Sequence, residues 1–321
     1  MKILIFLLLA NISASFGQSL IPYYKDGKYG YCNLNKEIVI SPQFDGCGFF
    51  NEGLAWIKKG SNFGYLNSSG KVVVKPKFSQ ASNFKYGTAI VNVGDAYYVL
   101  NVKGQKVMKQ GIAHAFRVAD SLIACDMGWD NWRIINKNGR TIYQFEYIEF
   151  NWDNMDYISV YDTAKNYSVF VNLLDGSQQI EKPASKYAFR NPDSLKLTSV
   201  TKVNGLLQIT KGMVTDKNNT IVIPEKYETI LTGNNMEFIF CMENSGKTGK
   251  SQIYISSKKK LSDPIPGLNS GVEFEQNNEP FGYQKINDKY YFLCQLTAEG
   301  LPDVQNYICI DEDGNTFYNF K

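Results

Sequence analysis

The sequence predicts an all-β protein in which tandem short antiparallel β-sheets form a β-propeller-like ring, with an open β-solenoid or superhelix as the alternative. Three observations support this prediction. The chain of 321 residues contains 21 Tyr and 20 Phe, and aromatic residues favour strands. The chain repeats itself with a period of about 34 residues, which is typical of propellers and solenoids. In each repeat, a turn segment separates two apolar runs.

The composition limits the function classes that are open to the chain. Hydrophobic residues make up 44% of it, which is enough for a substantial core and incompatible with overall disorder. The net charge of +3 and the small number of arginines predict no footprint for nucleic acid. The single histidine, His114, excludes zinc sites that need several imidazoles.

Residues 1–17 are predicted to be a signal peptide, with a buried first strand as the alternative. Lys2 supplies the positive charge, residues 3–10 form the apolar core, and small residues precede Gln18. This apolar run is too short to span a bilayer, which needs about 20 residues. We therefore expect a mature chain that begins at Gln18, has no transmembrane segment and lies in the periplasm or outside the cell. Residues 18–321 are expected to form a single β-repeat domain of about seven or eight units.

Six cysteines remain in the predicted mature chain, where an oxidising environment would allow disulfides. Six cysteines allow 15 pairings, so the connectivity stays open. Cys32 and Cys47 have the same spacing as Cys294 and Cys309, and the two pairs lie near opposite ends of the chain. These four are candidate disulfide partners that would fasten the terminal units. Buried, unpaired thiols in a β core are the alternative.

The repeat is clearest in the first third of the chain. Residues 29–57 align with residues 63–91 without a gap. The identical pairs are Gly30 and Gly64, Tyr31 and Tyr65, Asn33 and Asn67, Val39 and Val73, Pro42 and Pro76, Phe44 and Phe78, Phe50 and Phe84, Gly53 and Gly87, and Ala55 and Ala89. Fainter copies continue to the C-terminal end, so the whole domain is expected to share one architecture.

An asparagine begins the turn segment of each clear repeat, at residues 33–36, 67–70, 101–104 and 136–139. Asparagine can hydrogen-bond its own turn and glycine can adopt positive φ, so these segments are predicted to be β-hairpin turns. Residues 311–314 follow the same pattern. They are predicted to form another turn, because a calcium loop of the EF-hand type needs further spaced oxygen ligands.

The strands after the first two turns, at residues 38–40 and 72–74, are apolar at consecutive positions. This pattern predicts burial on both faces of the sheet. Pro42 and Pro76 are expected to end these strands, because proline cannot donate to a ladder. An even number of strands keeps all units in one orientation, so we expect four short strands per unit.

One order of segments carries a family resemblance. Tyr-Gly-Tyr at 29–31, the turn at 33–36, Ile-Val-Ile at 38–40, Pro-Gln-Phe at 42–44 and Gly-Leu-Ala at 53–55 follow one another, and a second copy starts at Phe63. The order resembles the WG (or KWG) β-repeat over about residues 25–110, with Tyr29 and Phe63 in place of the eponymous tryptophan. The resemblance implies an exported or surface repeat protein of a kind common in Bacteroidota, without shared catalytic residues.

Three tryptophans are the candidate ligand-binding residues. Trp129, Trp132 and Trp152 lie beside carboxylates and amides, and such aromatic faces suit a sugar or an interface. The repeat register places Trp129 and Trp132 in a loop between two units, and Trp152 in the turn before a unit's last strand. These positions lie at opposite ends of a sheet. Packing of the rings between units is the alternative reading.

No sequence motif predicts catalysis, a cofactor or a metal site. A hydrolase built on His114 would need a nucleophile, and no Gly-x-Ser-x-Gly elbow is present. Residues 246–250 contain Gly-Lys-Thr but lack the first glycine of a phosphate loop. We therefore expect an exported, non-catalytic binding or scaffolding module for a protein or glycan partner. The alternative is an exported glycan-active hydrolase that uses paired carboxylates.

Overall fold

The computed structural model describes residues 19–119, 121–128, 131–145, 149–150, 156–162, 167–181, 200–203, 206–210, 214–215, 221–223, 227, 229–232, 238–242, 250–266, 268–270, 283–296 and 307–317. The predicted signal peptide and its cleavage point lie outside these residues. Apart from a 3₁₀ turn at Ser256–Lys258, the regular elements of the described residues are β-strands. Among them, no helix has the length and apolarity to cross a membrane.

The first half of the chain forms five antiparallel sheets in chain order. The first sheet contains β1 (Ile21–Lys25), β2 (Lys28–Cys32) and β3 (Ile38–Phe44). The second contains β4 (Gly46–Cys47), β5 (Leu54–Lys59), β6 (Asn62–Asn67) and β7 (Val72–Phe78). The third contains β8 (Gln80–Ala81), β9 (Thr88–Val93) and β10 (Ala96–Asn101). The fourth contains β11 (His114–Val118), β12 (Leu122–Asp126), β13 (Trp132–Ile135) and β14 (Thr141–Phe145). The fifth contains β15 (Glu149–Phe150), β16 (Tyr157–Asp162), β17 (Tyr167–Asn172) and β18 (Gln178–Gln179).

The second half continues in the same antiparallel manner. Its strands are β19 (Val200–Val203), β20 (Leu206–Thr210), β21 (Val214–Thr215), β22 (Ile221–Ile223), β23 (Thr229–Thr232), β24 (Phe238–Met242), β25 (Lys250–Ile255), β26 (Lys260–Leu261), β27 (Ile265–Pro266), β28 (Leu268–Ser270), β29 (Tyr283–Ile286), β30 (Lys289–Leu296) and β31 (Tyr307–Asp311). Strands β21 and β22 form a separate pair, the other strands from β19 to β27 form one sheet, and β28 to β31 form the last sheet. The expected four strands per unit are found in the second, fourth and fifth sheets and in the last one.

The repeated glycine of the aromatic-Gly-Tyr segment, Tyr-Gly-Tyr at 29–31 and Phe-Gly-Tyr at 63–65, is required by a close approach of two strands. A Cβ on Gly30 would lie 2.2 Å from the carbonyl oxygen of Ile40, and one on Gly64 would lie 2.4 Å from that of Val74. The ladders of both sheets shift register at this point. Only glycine fits there, because the neighbouring backbone occupies the space of any side chain.

The predicted asparagine turns are confirmed. In each, the Oδ1 atom of asparagine accepts hydrogen bonds from the backbone N–H groups two and four residues later. The turns begin at Asn33, Asn67, Asn101 and Asn136. Asp311 makes the same two bonds, to Asp313 and Asn315, so the acidic segment is a structural turn.

The core lies between neighbouring sheets. Separate clusters of buried residues join the first sheet to the second, the second to the third, the third to the fourth and the fourth to the fifth. Buried tyrosine hydroxyls add repeated hydrogen bonds across two of these interfaces, from Tyr31 to the carbonyl of Gly48 and from Tyr65 to that of Ser82, each 2.8 Å long. Sheets that stack on neighbours through both faces are the expected arrangement of a propeller.

The burial predicted for the strands after the turns is wrong. Ile38 and Val39 are exposed, as is Val72, whereas Ile40 and Val74 are buried. The reason is that β3 and β7 are the edge strands of their sheets, so that only part of each strand is covered.

The two ends of the described chain meet, which closes the ring. Ile21 and Tyr23 of the first sheet share a buried cluster with Tyr291 and Leu293 of the last sheet. The backbone N–H of Tyr24 on β1 also donates to the carbonyl of Phe317, over 3.4 Å. An open superhelix would leave these ends apart.

Cys32 and Cys47 are buried, unbonded thiols in the structure, as in the alternative of buried thiols in a β core. Cys32 faces the last sheet, whereas Cys47 lies in the cluster between the first and second sheets. The side chain of Cys294 lies outside the described residues. Cys309 is a buried, unbonded thiol, and its pairing with Cys294 stays a prediction.

Candidate functional site

The asparagine turns lie in a row at one end of the ring. Every turn that contains a glycine is seated on the unit that precedes it, because that glycine lies against the preceding unit; the first turn has Lys36 at this position, with φ of 65°. A Cβ on Gly70 would lie 3.5 Å from Ile40, one on Gly104 2.3 Å from Val74, one on Gly139 2.5 Å from the carbonyl oxygen of Val107, and one on Gly314 3.0 Å from Ile265. We call the first four turns, at residues 33–37, 67–71, 101–105 and 136–140, the turn belt.

The turn belt and its surroundings are strongly cationic. Each of its four turns carries an exposed lysine: Lys36, Lys71, Lys103 and Lys137. Between residues 33 and 140, the described charged residues at this end are Lys36, Lys71, Lys85, Lys103, Lys106, Arg117, Lys137 and Arg140 against Glu37 and Glu52. The local balance is therefore 8 − 2 = +6. Both carboxylates already accept hydrogen bonds, Glu37 from Asn33 and Glu52 from the backbone N–H of Gly87.

A tight turn at residues 85–88 places Tyr86 on this cationic end. The ladder sets Thr88 opposite Asn101, so the turn lies beside the turn belt. Both central residues have positive φ, 53° at Tyr86 and 80° at Gly87, as in a type I′ hairpin turn. Tyr86 is 39% exposed. Glycine or asparagine is the usual choice where φ is positive, and an aromatic residue there is strained.

Two cations lie over the Tyr86 ring, one from the same turn and one from the fourth sheet. The Lys85 Nζ atom lies 5.4 Å and the Arg117 Cζ atom 5.7 Å from the ring centroid, both within the range of cation–π attraction. Arg117 is held in place by hydrogen bonds of 3.2 and 3.1 Å to the hydroxyl and carbonyl oxygens of Thr88. A Cβ on Gly87 would lie 3.8 Å from the Lys137 Cδ atom. We call Lys85, Tyr86, Arg117 and Lys137 the Tyr86 site.

Comparison with known proteins identifies the repeats. Residues 29–62 and 63–97 each match the model described as the WG containing repeat. Residues 29–97 are two WG repeats. Lys85 and Tyr86 belong to the second of them, and Glu52, which holds Gly87, belongs to the first. Arg117 and Lys137 come from the part of the chain that follows the WG repeats.

Solved structures resemble the chain in fold. The crystal structure of a eukaryotic initiation factor is 10% identical and has a TM-score of 0.50, over 93% of this chain and 94% of its own. BamB from Moraxella catarrhalis has 10% identity and a TM-score of 0.40, over 92% of each chain. The β-propeller domain of the Trilobed protease from Pyrococcus furiosus has 8% identity and a TM-score of 0.40, over 85% of this chain and 96% of its own. No curated protein matches the sequence.

The structure places Trp132 differently from the sequence-based expectation. Trp132 begins β13, opposite Asp126 on β12 and Phe145 on β14, so residues 127–131 join strands of one sheet and do not link two units. Its half-buried ring meets Phe116 edge to face, 5.9 Å between centroids, and belongs to the core between the fourth and fifth sheets. Trp129 and Trp152 lie outside the described residues.

A pair of buried carboxylates lies in the last turn, as the hydrolase alternative would require. Asp311 accepts hydrogen bonds from backbone N–H groups of the turn. It also forms an ion pair with Lys289, over 2.8 Å. Glu312 pairs with Lys258 and accepts from the backbone N–H of Tyr290. Burial opposes the charge of Lys289, but its hydrogen bonds to Asp311 and Asp313 raise its pKa above the usual value. These contacts use the carboxylates to hold a turn, which does not support the hydrolase alternative.

His114 has one polar neighbour of chemical interest. Its Nδ1 atom lies 3.3 Å from an oxygen of Asp126, and its side chain is mostly exposed. The ladder sets His114 directly opposite Asp126, at the end of β12 that is remote from the turn belt. The pair therefore does not contribute to the Tyr86 site.

Proposed function

We propose that the protein is an exported, non-catalytic module that binds or scaffolds a protein or glycan partner through the turn belt and the Tyr86 site. A single observation carries this proposal: four consecutive repeats present cations side by side at one end of a closed ring, around an exposed aromatic side chain. Repeat architectures suit recognition because they display equivalent loops on one continuous surface.

The hydrogen bonds within the site support a binding role. Glu52 fixes Gly87, and Thr88 fixes Arg117, so that loops from the second, third and fourth sheets hold one another in place. A surface that is organised before the partner arrives loses less conformational entropy on binding.

The experiment is a binding screen with the full chain, produced with its own leader so that the exported form can be purified. Immobilised glycans and envelope and secreted proteins serve as partners. A triple variant of the turn belt, Lys71→Ala, Lys103→Ala and Lys137→Ala, is compared with a matched triple variant at the opposite end, Lys25→Ala, Lys59→Ala and Lys77→Ala. We expect the belt variant alone to lose retention.

Two results would contradict the proposal. A folded belt variant that keeps full retention would place the binding surface elsewhere. Release of new reducing ends from a retained glycan would show a hydrolase and not a binding module. Export is tested separately by N-terminal sequencing of the exported chain. We expect this chain to begin at Gln18, and a chain that began at Met1 would contradict the prediction of a cleaved leader.

A further inference from the structure

The charges of the chain are divided unequally along its length. Residues 1–145 contain 17 Lys and Arg against 8 Asp and Glu, a balance of 17 − 8 = +9, whereas residues 146–321 contain 17 against 23, a balance of 17 − 23 = −6. The sum of these two values is the modest +3 of the whole chain. The molecule therefore has a basic half, and the turn belt and the Tyr86 site belong to it. A surface of this kind attracts polyanions over distances of about 10 Å at moderate salt.

The Tyr86 side chain stands where the backbone disfavours it. The equivalent turn of the first WG repeat has Glu52 at this place, with φ of 51°, and the turn before β30 has Asn287, with φ of 49°. An asparagine would suit the turn better, since it tolerates positive φ. Strained residues of this kind persist where they serve a function. Tyr86 is also exposed, so packing does not account for it.

We propose that the Tyr86 site and the turn belt bind an acidic polysaccharide, a chain of sugars that carry carboxylate or sulfate groups. This inference rests on the proposed function and names its ligand class. The exposed ring of Tyr86 offers a flat apolar face to a sugar ring. Lys85 and Arg117 lie over the ring, and Lys137 lies beside the neighbouring Gly87, so that positive charge is available to the acidic group. The lysines of the neighbouring turns extend the charge along the belt, one per unit, which fits a polymer that repeats its own charges.

The observations favour a glycan over an acidic protein or an anionic membrane. A sugar chain provides flat rings and regularly spaced anions together, and the site provides an aromatic face and regularly spaced cations together. Binding of this kind depends on both components, so loss of the ring and loss of the charges should weaken it separately.

The experiment measures binding of the full exported chain to polygalacturonate and chondroitin sulfate, with dextran as the neutral polysaccharide. Poly-glutamate and vesicles containing phosphatidylglycerol represent the other two classes of acidic partner. We expect binding to at least one of the two acidic polysaccharides, none to dextran, and a loss of affinity of about tenfold or more between about 50 and about 300 mM salt.

Substitutions of Tyr86 separate recognition from folding. Tyr86→Asn should keep or raise the melting temperature, because asparagine relieves the strain, yet weaken polysaccharide binding about tenfold. Tyr86→Phe should retain binding. Tyr167, which is similarly exposed at 38% and lies at the opposite end of its sheet, provides the control, and Tyr167→Ala should bind as the parent chain does.

Several outcomes would overturn the inference. They are full binding by Tyr86→Asn, equal binding to dextran, tighter binding to poly-glutamate or to the vesicles, and no binding to either acidic polysaccharide. Each of these leaves the proposed function intact as long as the belt variant loses retention in the broader screen. Failure of that screen, in contrast, would remove the proposed function itself.

Discussion

Gly30 and Gly64 show how a single absent side chain shapes a unit of this ring. Each lets the strand that follows the turn approach the strand that carries the glycine, with the carbonyl oxygen of Ile40 or Val74 within 2.4 Å of where a Cβ would lie. The tyrosine that follows each glycine then donates its hydroxyl hydrogen to the next sheet. The repeated glycine therefore allows the close approach of two strands within a sheet, and the tyrosine that follows it fastens that sheet to the next one.

Gly64→Ala should lower the free energy of unfolding by about 2–3 kcal/mol, because the added methyl group forces two backbones apart. Gly46→Ala is the control, since a Cβ there meets its nearest neighbour at an ordinary 3.4 Å. Denaturant unfolding followed by tryptophan fluorescence measures both. Equal stability of the two variants would contradict the close approach.

The buried thiols should resist alkylation in the folded protein. Burial raises the pKa of Cys32, Cys47 and Cys125 to about 12 each, so the reactive thiolate is scarce below pH 9. Peptide mass spectrometry after iodoacetamide treatment should find these three unmodified until a denaturant is added. Ser69→Cys, at an exposed turn position, should be modified at once. A peptide joined through Cys32 and Cys47 would instead support the disulfide prediction.

At the scale of the element, the asparagine turns could be predicted from the sequence alone. An Asx turn depends on contacts within five residues, so Asn33 and Asn67 reveal it in the sequence itself. Whether β3 and β7 are covered depends instead on the position of a strand within its sheet. For this reason the apolar residues 38–40 suggested two buried faces, although the structure makes β3 an edge strand.

The Tyr86 site could not be predicted from the sequence, because it also depends on how distant parts of the chain pack together. Tyr86 and Arg117 are far apart in the chain and meet only because neighbouring units stack. One local signal was present, since Tyr86 stands immediately before a repeated glycine, where the preceding unit has Glu52. The carboxylates and amides beside the tryptophans suggested a binding surface, yet Trp132 packs into a core.

Asn136→Ala should destabilise the protein by about 1 kcal/mol, because two backbone N–H groups of the turn lose their acceptor. Asn138→Ala, at an exposed position in the same turn, should change stability by less than about 0.5 kcal/mol. Thermal unfolding of the two variants gives the comparison. Indistinguishable melting temperatures would show that Asn136 does not hold its turn.

At the scale of the whole molecule, closure joins residues from the two ends of the chain. Phe317 is buried against Tyr291, with 5.8 Å between the ring centroids, and the Lys36 Nζ atom lies over the Phe317 ring, 5.2 Å from its centroid. Lys36 also donates to the carbonyl of Thr316. The first turn of the belt therefore sits on the last described residues, as every other turn sits on the unit before it.

Phe317→Ala should cost about 3–4 kcal/mol of stability, as do other truncations of a buried aromatic residue. The loss should appear far away in sequence: amide exchange should speed up in β1 and β2 as well as in β31. Leu174→Ala, at a position that is 58% exposed, should leave exchange unchanged. Acceleration confined to the C-terminal strands would contradict closure between the first and last sheets.

Because Lys36 and Phe317 are neighbours in space, we expect the ring to form also when the chain is opened at another place. A circular permutant, opened in the short hairpin at Gly60 and Ser61 and joined by a linker between its present ends, would place the same units in the same cyclic order. Folding of such a permutant would show that the contacts between neighbouring sheets, including those between the first and the last, specify the assembly.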